Sequence, residues 1–200
     1  MALIETPSTI PPLLVADHLT ALVAAAQSAS SAAPQIQAWS EQLAGVFAAG
    51  GKLLACGNGG SAAEAQHLTG ELVGRFRHER APLPAIALCA DSAANTAILN
   101  DYGGEELFAR QVRAFGQPGD VLVTLSTSGT SANVLAAARA AREIGVTVWA
   151  LTGPAPNPLA ALADAALAVD APTTATVQEV HLSMVHALCL GLDAALGVQP

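Results

Sequence analysis

His67 and Glu71 stand four residues apart, the spacing that brings two side chains to one face of a helix. An imidazole and a carboxylate so placed suit proton transfer or ligation of a metal ion. They follow a short apolar run, Leu53-Leu54-Ala55-Cys56, and a glycine-rich turn, Gly57-Asn58-Gly59-Gly60, with Ser61 in the position of a helix N-cap. Strand, tight turn and helix N-terminus in succession present free backbone N–H groups and the positive end of a helix dipole to an anion. One element therefore holds an anion seat and a candidate catalytic or metal pair. The same residues also fit a plainer reading, with Glu71 and Arg75 an exposed pair and His67 on a solvated face.

A second stretch repeats the plan. Residues 120–135, DVLVTLSTSGTSANVL, give a strand, a loop of small residues and a helix. Ser126, Thr127, Ser128, Thr130 and Ser131 place five hydroxyls within six residues. A hydroxyl-lined loop ahead of a helix N-terminus suits a phosphate where cations are scarce, and it also suits an ordinary capped loop. In a parallel sheet the two loops lie at the same edge. Near the C-terminus, Gln178, His181 and His186 interrupt an otherwise apolar helical pattern. Buried polar groups there need partners; taken singly, each histidine fits a core or surface role as well as a ligand's.

The elements that must position these residues alternate along the chain. Strands are predicted at 53–56, 85–88, 121–125, 147–151 and 166–169. Helices are predicted at 61–74, 92–98, 105–115, 131–144, 158–162 and 174–196. Short apolar strands between helices predict an α/β fold, a five-stranded parallel sheet covered on both faces in three layers, with ligands at the carboxyl ends of the strands. Ahead of it, 1–12 carries three prolines and reads as a loose lead-in. Helices at 13–33 and 35–49, with Pro34 in the first turn of the second, form an N-terminal hairpin within 13–50. The expected organisation is a single domain, with the α/β core at 51–197.

Of 200 residues, 52% are hydrophobic and 12% charged, with net charge −8 and pI near 4.9. The acidic balance excludes a nucleic-acid or anionic-membrane surface, and the apolar share fits a two-faced core or a large subunit interface. Cys56, Cys89 and Cys189 form no metal-type spacing and read as reduced thiols, in keeping with a cytoplasmic protein. No basic residue other than histidine precedes Lys52, so a charged signal region is not expected. The uncharged run 19–40 is too rich in Ala and polar residues to span a membrane.

CGNGGSAAEAQH, Glu71, Gly74-Arg75-Phe76, Asn100-Asp101-Tyr102-Gly103, STSGTS and QEVH with His186 beyond occur in this order. Together they resemble the bacterial phosphoheptose isomerases, members of the sugar-isomerase (SIS) domain family, over roughly 35–196. The resemblance implies a homotetramer with active sites at subunit interfaces. It implies conversion of sedoheptulose 7-phosphate to D-glycero-D-manno-heptose 7-phosphate, for nucleotide-activated heptose synthesis. It makes Glu71 the base and His186 the acid. It assigns Ser126, Thr127, Ser128 and Ser131 to the phosphate, and Asn58, Gly59, Ser61, Arg75, Asp101 and Gln178 to the substrate. It further implies a zinc site of His67, Glu71, Gln178 and His186. Thr176 departs from the family's Arg or Lys, and 154–158 (PAPNP) from its glycine-rich turn. Two alternatives remain at this stage: an isomerase of a related sugar phosphate, and a non-catalytic SIS protein that binds a replication initiator. The presence of both Glu71 and His186 favours an enzyme.

Overall fold

Five apolar runs, too short for helices and bounded by turns, pair side by side as one parallel sheet. They are β1 (Leu53–Gly57), β2 (Ala85–Ala87), β3 (Val121–Ser126), β4 (Thr147–Thr152) and β5 (Ala165–Ala168), in the order β2-β1-β3-β4-β5. Register runs Leu53 to Val121 to Thr147 across the centre. Every residue of β1 and β3 is buried, as expected of central strands covered on both sides. These coordinates are a computed structural model that describes residues 12–198. The lead-in expected at 1–12 lies outside the described residues, except Pro12.

The helices are α1 (Pro12–Ala29), α2 (Ala33–Ala48), α3 (Gly60–Val73), α4 (Ser92–Tyr102), α5 (Glu106–Phe115), α6 (Ala132–Glu143), α7 (Pro158–Leu162) and α8 (Thr174–Ala195). One turn of 3-10 helix, Ser30–Ala32, joins α1 to α2, and Pro34 sits in the first turn of α2. Alternate strand residues feed two cores. Leu53, Ala55, Val123, Leu125 and Leu151 pack under α2, α3 and α8. Leu54, Cys56, Leu122, Val148 and Ala150 pack under α5, α6 and α7. The first core includes a parallel stack of Trp39 on Trp149, ring centroids 4.7 Å apart.

β2 lies to one side of β1 and β3 to the other, so the chain changes direction of winding between β1 and β3. Crevices form where successive connections leave in opposite directions. The loops at the carboxyl ends of β1 and β3 therefore meet there. At the opposite end of the sheet, Lys52 donates from Nζ to buried Asp120 at 2.6 Å, and the Lys52 and Gln117 backbone N–H groups donate to the same carboxylate.

Expectations change in detail at several places, the helix expected over 13–33 among them, which ends at Ala29. Ser61 is not the N-cap of α3. The helix begins one residue earlier, with Gly59 as N-cap at φ 55, and Ser61 falls inside the first turn. Gly59 can adopt this left-handed conformation because it has no Cβ, and its carbonyl accepts from the Ala62 and Ala63 N–H groups. The short helix expected at 92–98 runs on to Tyr102, with Asp91 capping it through the Ala93 and Ala94 N–H groups.

Candidate active site

α3 and α8 lie side by side on one face of the sheet, and their contact builds the site. Nε2 of His67 lies 2.9 Å from Nε2 of His186 and 3.2 Å from Oε1 of Glu71. One ligand atom from each of the three residues falls within 4.8 Å of the others. Glu71 and His186 are half-buried, and His67 is exposed. The Phe76 ring packs on the His186 imidazole, centroids 5.7 Å apart. A carboxylate and two imidazoles held this closely can pass protons or hold a cation. Two nitrogen ligands of a tetrahedral zinc stand ~3.3 Å apart, close to the spacing seen between these atoms, so the donor set fits such an ion.

The second half of the site is the crevice at the switch point. Asn58, Ser61, Leu125, Ser126, Thr127, Ser131 and Gln178 line it. Asn58 and Asn133 exchange two amide hydrogen bonds of 2.9 Å, tying the β1 loop to the start of α6. Ser126 Oγ lies 3.3 Å from Ser131 Oγ and accepts from the Gly129 N–H. Ser131 is the N-cap of α6, yet its side chain makes no capping bond; its hydroxyl faces Ser126 Oγ instead, at the positive end of the helix dipole. None of the lining residues is cationic. An anion placed here would meet hydroxyls, amides and backbone N–H groups.

Gln178 occupies this crevice with its amide against Gly60, where a Cβ would come within 2.6 Å of it. Gly60 precedes His67 by seven residues, ~10 Å of helix rise. Gln178 thus stands at the crevice end of α3, while the cluster of His67 and Glu71 with His186 of α8 stands further along. Ser128 is exposed and does not line the crevice; its hydroxyl accepts from the Thr130 N–H and hydroxyl of its own loop. Arg75 and Asp101 do not line the crevice: Arg75 is exposed beyond the end of α3 and donates to the Arg77 carbonyl. Asp101 is exposed on α4 and accepts from Asn100.

A buried pair lies beneath the site. His181 is fully buried and its Nε2–H donates to the Thr152 carbonyl at 3.0 Å. Its Nδ1 faces Glu64 Oε2 at 3.9 Å. Burial lowers the His181 pKa to about 4 and raises that of Glu64 to about 8. At neutral pH the pair is therefore a neutral imidazole beside a protonated carboxyl. Sequence reading gave His181 no role beyond that of a polar interruption and passed over Glu64, Asn133 and Arg80.

The sequence pattern of the SIS domain matches residues 17–153. The chain is 60% identical to the phosphoheptose isomerase of Streptomyces coelicolor over 182 residues, 91% of this chain and 79% of that one. It belongs to the phosphoheptose isomerases. Among solved structures, the phosphoheptose isomerase of Neisseria gonorrhoeae superposes with a TM-score of 0.83 at 43% identity, covering 90% of this chain and 97% of that one. The enzyme of Francisella tularensis gives 0.87 at 36% identity, covering 93% and 100%. Among the described residues, no helix is long and apolar enough to cross a membrane.

Proposed function

We propose that this chain is a ketose–aldose isomerase that converts sedoheptulose 7-phosphate to D-glycero-D-manno-heptose 7-phosphate. The observation that carries the reading is the joint approach of His67 and Glu71 on α3 to His186 on α8, with the first turn of α3 opening on the hydroxyl-lined crevice. Ser61 and His67 are separated by ~9 Å of helix rise, a span that suits the carbon chain between a terminal phosphate and the C1–C2 end of a heptulose. Ser126, Thr127 and Ser131 take the phosphate, joined by Ser128 only if its hydroxyl leaves Thr130, with Asn58, Gly59, Ser61 and Gln178 beside it. Glu71 removes the proton from C1 and returns it to C2 by way of an enediolate. His186 carries the proton between the sugar oxygens and assists ring opening.

His67, Glu71 and His186 would also hold a divalent ion, zinc by the nature of the donors. Gln178 joins them only by swinging from its seat on Gly60. Such an ion supplies Lewis-acid stabilisation of charge on the enediolate oxygens. Arg75 and Asp101, exposed and away from this chain's crevice, are read as contributions to a neighbouring subunit's site in a homotetramer. The three free thiols, two of them buried, suit the reducing cytoplasm. Incubation with sedoheptulose 7-phosphate, followed by NMR, should show an aldose C1 proton growing in. An unchanged spectrum with folded protein at micromolar concentration would end the assignment. Glu71 and His186 together are the feature that favours this activity over a non-catalytic SIS protein.

A further inference from the structure

The α3–α8 contact that brings Glu71 to His186 is closed by a residue from neither helix. Arg80 lies on the loop between α3 and β2, and its side chain is only 5% exposed. Its Nη2 donates to the Glu71 carbonyl at 2.7 Å and its Nη1 to the Leu72 carbonyl at 2.9 Å. Nη1 also donates to the Ala81 carbonyl, and more distantly to that of Gly74. The last carbonyls of a helix have no partner within it, and a cation is favoured at that end of the dipole. Arg80 therefore caps α3 with a side chain at the residue that carries the base.

The same guanidinium reaches the other helix. Nε donates to Asp193 Oδ1 at 3.0 Å, and the Asp193 side chain is 9% exposed. Asp193 follows His186 by seven residues, two turns of α8, so both lie on nearly the same face. One planar, five-donor group is thus bonded to the backbone of Glu71 and to a carboxylate in register with His186. Cys189 lies between, and its thiol is pushed up to about 12 by burial and then by the nearby Glu71 and Asp193 carboxylates, in keeping with how closely these groups converge. Arg80 reaches none of the residues that line the phosphate crevice.

We propose that Arg80, with Asp193, is a positioning pair that sets the separation of Glu71 and His186. It rests on those two being the catalytic base and acid. Removing either charge alone strands the other in the interior, so the informative variants keep or remove both. Arg80→Lys retains the charge but not the fork that serves two helices at once. Arg80→Met combined with Asp193→Leu removes the pair and fills its volume. The expected result for both is a kcat lower by about ten- to a hundredfold, since small misplacement of reacting groups is costly. KM for sedoheptulose 7-phosphate should stay within about threefold, because the phosphate loop is untouched. A folded double variant with kcat within about twofold of wild type, or a loss confined to KM, would overturn the proposal. Glu71→Gln is measured alongside. If that variant turns over normally, the reading of the site falls and this inference with it. If it is inactive while the Arg80 variants are normal, only the positioning role falls.

Discussion

At the scale of single residues, Glu64 and His181 show how burial sets protonation next to the site. The pair joins α3 to α8 and, through the His181 Nε2–H, to the end of β4. In the unfolded chain Glu64 titrates near 4.5 and His181 near 6.5; folding moves them to about 8 and about 4. Between pH 4.5 and 6.5 both states hold one proton, on Glu64 when folded and on His181 when unfolded, so the pair gives no slope there. Above pH 6.5 the folded state keeps a proton that the unfolded state has lost, and stability falls until pH passes about 8. Below pH 4.5 the unfolded state holds two protons against one, and stability falls again as pH drops. Glu64→Gln keeps the shape and removes the acid. The melting temperature of Glu64→Gln relative to wild type should therefore rise between pH 5 and pH 8, by at least about 2–4 °C. A difference flat across that range would show that Glu64 is ionised in the folded protein.

At the scale of elements, the phosphate falls in the proposed function to the β3–α6 connection and the proton transfers to α3 and α8. Ser131→Ala removes a hydroxyl that α6 does not need for its own cap, so the helix should remain. Hydrogen bonds to a charged group contribute ~1.5–3 kcal/mol, and steady-state kinetics should show KM raised about tenfold or more with kcat little changed. A fall in kcat at constant KM would place Ser131 with the chemistry instead. β1, β3 and β4 were legible in the sequence to within a residue, because strands buried on both faces are near-continuous apolar runs, broken inside β3 by Thr124 alone. The full length of α4 was not legible: only Ile98 among its side chains is buried, so it has little periodicity to read. The two loops were visible from their glycines and hydroxyls, and the i,i+4 spacing put His67 beside Glu71. Nothing local marked Arg80, because a loop arginine acquires its meaning only when two helices, distant in sequence, arrive on either side of it. Asn133 escaped for the same reason, since its partner Asn58 lies on another connection.

At the scale of the whole molecule, α1 is the unresolved tension within a single chain. Val15, Leu19 and Val23 repeat every four residues and are 58%, 57% and 57% exposed, a row along one side of the helix. The other side of α1 meets α8, where His18 contacts Glu179 at 2.9 Å. Leu190 on α8 adds to the uncovered apolar surface at 49% exposed. A row of this kind favours burial against another copy of the chain, since each large aliphatic side chain covered contributes ~1.5–3 kcal/mol. Arg75 and Asp101, exposed and outside the chain's own crevice, give the association a catalytic consequence if they complete a neighbour's site. Sedimentation at micromolar concentration should therefore find a species of about 80 kDa, four times the 20.0 kDa chain. Leu19→Glu combined with Val23→Glu places like charges across any symmetric contact of this row while leaving the α1–α8 side intact. That variant should sediment as smaller species with unchanged helical circular dichroism, and its isomerase activity should fall together with the loss of assembly. A wild-type monomer, or a dissociated variant that keeps full turnover, would mean that each chain carries a complete site and that the exposed row on α1 serves some other contact.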